Sequence, residues 1–261
     1  RYYCSSLASN ALVGGIPPVI GSLESLEVLN LKENQLDGDI PADIGNLAFL
    51  TNLTLSDNLF TKMPQELCQL SNLTRLFLDN NRLCGSIPAE FGKLYNLEYL
   101  YLDHNRLSGE IPGELGTLIN LKCLYLSKNQ LTGRIPAELG KLFNLKELLL
   151  HDNKLSGPIP SCLGRLTKLV FMSLNHNELT GEIPAELGRK TNWEYLHLNN
   201  NKLTGSIPVE LIKSCNIPLY ARSTSNSYLH PLIYTRNISE NSLTKDETLP
   251  ESWETENAFS K

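Results

Sequence analysis

His151, Asp152 and His176 are the residues of this 261-residue chain whose types come nearest to metal chemistry. Two imidazoles and a carboxylate are three of the four ligands that a closed zinc site needs, and no fourth is fixed. No further ligand has a spacing that would hold it there, and the two histidines fall at different phases of the sequence period, so no metal and no cofactor is expected. Serines stand near histidines, yet the nucleophile elbow G-x-S-x-G is missing, and so is the phosphate loop G-x-x-x-x-G-K-[ST]. No catalytic residue and no enzyme activity is therefore expected. Six cysteines, Cys4, Cys68, Cys84, Cys123, Cys162 and Cys215, sit at scattered phases without a C-x-x-C pair. Isolated thiols are the expectation, which favours a reducing, cytoplasmic setting over the extracellular alternative. The sequons at Asn52, Asn72 and Asn237 matter only if the chain is secreted.

The remaining candidates are side chains for recognition, and a repeat positions them. LEYLYLDHNRLSGEIPGELGTLIN (Leu97 to Asn120) is followed by LKCLYLSKNQLTGRIPAELGKLFN and then by LKELLLHDNKLSGPIPSCLGRLTK. Self-similarity at such a period means stacked coils, each packing only on its neighbours. Coils start at Leu26, Leu50, Leu73, Leu97, Leu121, Leu145, Leu169 and Trp193, and the second, which reads NLFTKMP, is one residue short. The expected organisation is an irregular first repeat over residues 1–25, eight repeats of about 24 residues over 26–216, and a polar, acidic, largely disordered tail over 217–261. Tyr220 to Tyr234 is a candidate cap on the last coil.

Each part of the repeat has a physical reason. L-x-x-L-x-L ends in period-two alternation and predicts a short strand with alternate side chains inward, stacking into a parallel sheet. Asn10, Asn34, Asn58, Asn81, Asn105, Asn129, Asn153, Asn177 and Asn201 form a column whose amides satisfy buried turn backbone of both polarities. Gly38, Gly85, Gly109, Gly133, Gly157, Gly181 and Gly205 mark a backbone conformation or close approach that a Cβ would hinder. Ile-Pro plugs the core and fixes φ, and A-E-L-G-K-L predicts a short helical turn bearing the i,i+3 pairs Glu90/Lys93, Glu138/Lys141 and Glu186/Arg189.

The consensus L-x-x-L-x-L-x-x-N-x-L-x-G-x-I-P-x-x-L-G-x-L resembles the plant-specific subclass of leucine-rich repeat over roughly residues 2–212. The resemblance implies an α/β solenoid: a right-handed arc with a parallel sheet on its concave face and short helical or 3-10 turns on its convex face. It also implies a second small sheet from L-x-G-x-I-P. Members include ectodomains of receptor kinases, receptor-like proteins and polygalacturonase inhibitors, and similar arrays occur in large intracellular signalling proteins.

Specificity in such an array lies at positions outside the consensus. One outward column of the strands reads Asn30, Thr54, Phe77, Tyr101, Tyr125, Leu149, Ser173, His197, and its neighbour Val28, Asn52, Arg75, Tyr99, Cys123, Glu147, Phe171, Tyr195. Strands stack ~4.8 Å apart, so Phe77, Tyr99, Tyr101 and Tyr125 should form one aromatic patch, and Phe171, Tyr195 and His197 a second. With Arg75, Asp103 and Glu147 these are the candidate partner-binding residues, because Tyr and Arg combine area, rigidity and a polar handle. Asp79, His104, Lys128, His151, Asp152 and His176 surround them, and that mixture of signs suits a protein or peptide ligand.

A net charge of −5 and a pI near 5.6 argue against nucleic acid, and no apolar run reaches the ~20 residues a bilayer requires. A monomer without membrane insertion is expected. The chain opens on Arg1 with no secretory signal before the first repeat, which predicts a removed leader or a fragment. The reading is a non-enzymatic protein-interaction module. The alternatives are the recognition segment of a larger receptor kinase or GTPase-containing protein, or a secreted glycosidase inhibitor. A regular ice-binding array is disfavoured on the expectation that no outward column repeats Thr.

Overall fold

The computed structural model describes residues 4–190, 192–213 and 242–244. Nine three-residue strands form one parallel sheet in strict chain order, from Cys4–Ser6 and Val28–Asn30 through Tyr99–Tyr101 to Tyr195–His197. The register repeats without slippage: Arg75, Leu76 and Phe77 lie beside Tyr99, Leu100 and Tyr101, which lie beside Cys123, Leu124 and Tyr125. The middle residue of each strand points inward. Leu53, Leu76, Leu100, Leu124, Leu148 and Met172 are fully buried, and burying a side chain of this size is worth about 1.5–3 kcal/mol.

On the opposite side each coil makes a five-residue 3-10 turn, such as Ala89–Lys93 or Ala137–Lys141, and the last two turns, Ala185–Gly188 and Val209–Lys213, are α-helical. The glycine of L-G-x-L makes the stacking possible. A Cβ on Gly116 would stand 2.4 Å from the carbonyl oxygen of Glu138 in the next coil, and one on Gly188 would stand 2.2 Å from the Leu211 nitrogen. Of the three expected i,i+3 pairs only Glu186–Arg189 approaches contact, at 4.0 Å; the other two are absent among the described ion pairs.

The asparagine column is a hydrogen-bonded ladder. Asn105 Nδ2 donates to the carbonyls of Leu102 and Asp103 in its own coil and of Leu78 in the preceding one, at 3.0–3.2 Å. Its Oδ1 accepts from the Leu83 amide at 2.9 Å. The same pattern recurs at Asn58, Asn81, Asn129, Asn153 and Asn177. The residue before each asparagine, from Ser9 and Glu33 to His176 and Asn200, has φ between 50° and 56° in all nine coils. A second ladder runs along the other edge: Asn72, Asn96, Asn120, Asn144 and Asn192 each donate to a carbonyl one coil back, at 2.8–3.0 Å.

Beyond the asparagines the chain forms smaller parallel sheets from L-x-G segments, including Cys84–Gly85 with Arg106–Glu110 and Gln130–Thr132, and Ser156–Gly157 with Glu178–Glu182 and Lys202–Ser206. The expected glycines there have φ between 73° and 88°, a region other residues avoid. In the short second coil Phe60 fills the leucine position, fully buried, and Met63 packs where the other coils place Ile.

The ends differ from the middle. Leu7 and Leu12, at inward leucine positions of the first coil, are 49% and 38% exposed. Near the other end Lys190 replaces a core leucine and is buried. Its Nζ donates to the Leu166 carbonyl at 2.6 Å and lies 4.8 Å from the centre of the Trp193 ring. Burial pushes this amine down to about 8. Ser242–Thr244 falls inside the segment expected to lack regular structure, yet it pairs in parallel with Lys202–Ser206. Gly205 lies opposite Leu243 where the preceding pair sets Gly181 opposite Leu203, so this step takes 16 residues more. The expected cap, Tyr220 to Tyr234, and the rest of 217–261 lie outside the described residues.

Two stability measurements check this account. Asn105→Ala removes a donor and an acceptor that serve buried backbone, and should lower unfolding free energy by roughly 2–4 kcal/mol in urea titrations. Asn10→Ala, at the exposed end of the ladder, should lower it by less than about 1 kcal/mol. Lys190→Leu should stabilise the chain at pH 7 by roughly 1–2 kcal/mol, since an apolar side chain replaces a buried cation. The folded amine titrates near 8 and the unfolded one near 10, so unfolded chains bind the extra proton and the native chain gains stability as pH rises between those values. The advantage of Lys190→Leu should therefore shrink over that window.

Candidate functional site

The candidate residues lie on the outer surface of the long sheet, held at strand spacing by the leucines beneath them. Arg75 is exposed, and Phe77, Tyr99, Tyr101, Asp103, Tyr125, Glu147, Phe171, Tyr195 and His197 are half-buried. Because the register is unbroken, equivalent side chains on successive strands meet face to face. The rings of Tyr101 and Tyr125 stack at 4.1 Å with an angle of 8° between their planes, and Phe77 meets Tyr101 at 4.6 Å. Tyr99 closes the patch edge-on to Phe77 at 6.5 Å. The second patch also assembles: Tyr195 lies 3.8 Å from His197 and 6.5 Å from Phe171. Glu147–Leu149 is the strand between the two, so the patches are about 10 Å apart.

The charges around the first patch are arranged by sign. The Arg75 guanidinium lies 5.5 Å from the Tyr99 ring centre and Lys122 Nζ 5.8 Å from it, so two cations flank that ring. Lys122 also binds Glu98 at 2.7 Å, which raises its own affinity for a proton. On the other margin Asp79, Asp103, Ser127 and His151 follow one another in equivalent positions of successive coils. Ser56 donates to Asp79 at 2.5 Å, yet burial outweighs that bond and holds the Asp79 carboxyl above the usual range. Asp103 Oδ2 meets His104 Nδ1 at 2.8 Å, while its buried Oδ1 has no protein partner. Burial holds His151 below its usual range, and its Nδ1 is likewise buried without a partner. Tyr125 donates to Glu147, and burial followed by that bond pushes the phenol far above its ordinary value.

Two chemical readings do not assemble. Among the described residues no three His, Cys, Asp or Glu side chains stand close enough to hold a metal. Ser127 lies between Asp103 and His151 in the column, but among the described residues no hydrogen bond joins it to either. Outward placement also fails at two positions. Cys123 and Ser173 belong to outward columns but are buried under their neighbours.

The hydroxyl column is a correction. Ser108, Thr132, Ser156, Thr180 and Thr204 share one position of the repeat, contrary to the expectation that no outward column repeats Thr. Pairing in the small sheets is offset by two residues, however. It sets Thr132 beside Glu110, Ser156 beside Glu178 and Arg134, Thr180 beside Lys202 and Thr204 beside Glu182. Charged neighbours interrupt the hydroxyl rank at every step.

Burial pushes the Cys123 thiol up to about 12, so it is protonated and covered at neutral pH. Native-state labelling with a disulfide reagent at pH 8 should modify the exposed Cys4 and Cys84 within minutes and leave Cys123 unmodified until the chain is unfolded. Mass spectrometry of the labelled peptides reads the order directly.

The profile of a leucine-rich repeat region matches residues 18–127, and that of the single leucine-rich repeat matches 120–142, 144–166, 168–189 and 192–214. A comparison with curated proteins finds no match. Among solved structures, the chain is 43% identical to the leucine-rich repeat ectodomain of the plant membrane receptor kinase GASSHO1/SCHENGEN3 from Arabidopsis thaliana, solved with CASPARIAN STRIP INTEGRITY FACTOR 2. That likeness covers 80% of this chain and 25% of the other with a TM-score of 0.79. It is 35% identical to the plant peptide hormone receptor RGFR1, solved with RGF2, over 92% of this chain and 36% of that one, with a TM-score of 0.82. A plant ice-binding protein is 32% identical over 78% of this chain and 74% of that one, with a TM-score of 0.66. The chain thus spans a quarter to about a third of the two receptors. With its repeats matched from residue 18 to residue 214, the chain belongs to the leucine-rich repeat family, in the plant-type form built into receptor-kinase ectodomains.

Proposed function

We propose that this chain is a non-enzymatic recognition module that binds a protein or peptide on the outer surface of its long sheet. The observation that carries the reading is the pair of aromatic patches, Phe77/Tyr99/Tyr101/Tyr125 and Phe171/Tyr195/His197, at positions the repeat leaves free. Folding needs the leucines beneath; it does not need rings above them. The binding surface is pre-formed, because stacking and register fix the rings before a ligand arrives, and that reduces the ordering cost of association. With about 10 Å between the patches, an extended segment crossing the strands spans them with roughly three residues. Asp79 and Asp103 on one margin face Arg75 and Lys122 on the other, and Glu147 stands in the Arg75 column, so such a segment is flanked by charges of both signs. One structural relative is a plant peptide hormone receptor solved with RGF2, which supports the reading.

A second reading is favoured by one observation. The chain spans only part of the receptor ectodomains it resembles, which fits the ligand-recognition segment of a larger signalling protein. In that reading the eight repeats over 26–216 do the recognising and any catalysis lies elsewhere. The ice-binding relative lends little, given the charges that break the hydroxyl rank.

Panning a random peptide library displayed on phage against the native chain tests the site. Selected peptides should lose at least tenfold in affinity, about 1.4 kcal/mol or more, when Tyr101→Ala is combined with Tyr125→Ala. The thermal unfolding midpoint of that variant should fall by only a few degrees. Peptides that keep full affinity for a folded double variant would place recognition elsewhere on the array.

A further inference from the structure

Tyr95, Ile119 and Phe143 are 60%, 59% and 61% exposed, on three consecutive coils, at the edge where each convex turn re-enters the long sheet. They stack in register, because Asn120 Nδ2 donates to the Tyr95 carbonyl at 2.9 Å and Asn144 Nδ2 to the Ile119 carbonyl at 2.8 Å. The fold does not ask for apolar residues there. Glu24, Ala48, Ser71 and Thr167 hold the same position in other coils. Three large apolar side chains in a row, each mostly in water, form a patch of the kind that marks an interaction surface.

The surroundings are basic although the chain carries a net charge of −5. Lys93, Lys141 and Arg165 end the adjoining convex turns, Lys122 and Lys146 open the adjoining strands, and Lys168 neighbours the strip at its edge. Glu98 is the one carboxylate at these positions of coils four to seven, and Lys122 already binds it at 2.7 Å. Lys168 Nζ donates to Oδ1 of Asn144, the residue that follows Phe143, at 2.6 Å.

We propose that this edge is a second docking surface, separate from the long sheet, for an acidic segment of a protein partner whose apolar side chains seat on Tyr95, Ile119 and Phe143. The carboxylates of that segment lie against the lysines on either side. Charge complementarity of this form steers encounter, and the apolar ladder supplies the buried area. The strip is narrow. Three coils give a ladder about 10 Å long, and Glu90, Glu114 and Glu138 on the turns beside it would meet any broad anionic plane such as a lipid surface. A slender peptide avoids those carboxylates.

The probe is a fluorescein-labelled peptide of residues 245–261, KDETLPESWETENAFSK, which places Trp253 and Phe259 among five carboxylates. It is titrated in trans into the full chain by fluorescence anisotropy. Ile119→Ser with Phe143→Thr installs residue types found at this position in other coils, Ser71 and Thr167, so the variant keeps its fold. The expected result is saturable binding that weakens with added salt and drops roughly tenfold or more in the Ile119/Phe143 variant, but is unchanged by Tyr101→Ala with Tyr125→Ala. Absent binding, or binding equal in native chain and Ile119/Phe143 variant, overturns the proposal. Retention on phosphatidylserine-rich vesicles that the same variant abolishes also overturns it, in favour of a lipid surface.

Discussion

The buried carboxamide of one asparagine per coil is the constraint on which the array depends. A chain that turns sharply after a three-residue strand leaves carbonyls and amides inside, where unpaired groups are costly. Asn105 answers three such carbonyls and one amide, split between its own coil and the one before it. The side chain therefore welds neighbouring coils as well as closing its own turn. It also offsets the left-handed backbone at the preceding residue, a conformation that disfavours Ser9, Glu33 or Lys128 but is imposed alike on all nine. Leucine burial supplies most of the free energy, but the ladder supplies the registration that makes the leucines coincide.

Registration in turn separates stability from recognition. Inward residues are held to leucine and near relatives by close packing, and outward residues on the same three-residue strand are free to vary. The consequence at the long sheet is additive: a tyrosine on one strand stands beside a tyrosine on the next, and Tyr101 and Tyr125 become a stacked pair without any residue dedicated to orienting them. Where an outward side chain is small, as at Cys123 and Ser173, larger neighbours cover it, so the exposed surface is set by groups of coils.

The sequence showed the architecture because its signals repeat. Period-two alternation at the end of L-x-x-L-x-L, summed over eight coils, leaves no other placement for Leu100 or Leu148, and the ring contacts follow from strand spacing alone. What it hid is what does not repeat in kind. The left-handed position carries Ser, Glu, Asp, Asn, His and Lys; Asn, Asp and His tolerate that conformation, but Ser9, Glu33 and Lys128 break the pattern. The second ladder, Asn72 to Asn192, is legible in hindsight from N-L at the strand start, but its partner is a backbone carbonyl that no pattern marks. The tight glycine of L-G-x-L looks like an ordinary helical break until the next coil is stacked on it. The hydroxyl column misleads for a geometric reason: equivalence in the repeat and adjacency in the small sheets differ by two residues.

The pairing of Ser242–Thr244 onto Lys202–Ser206 has a topological consequence. Place in the stack is granted by backbone registration and is indifferent to the contour length spent between coils. Closing the longer step costs little, since loop entropy grows only with the logarithm of length, and going from about 24 to about 40 residues adds about 0.5 kcal/mol. A solenoid with this property is a modular thread. Sequence can be spliced in at a coil junction during evolution, and the array resumes its count on the far side.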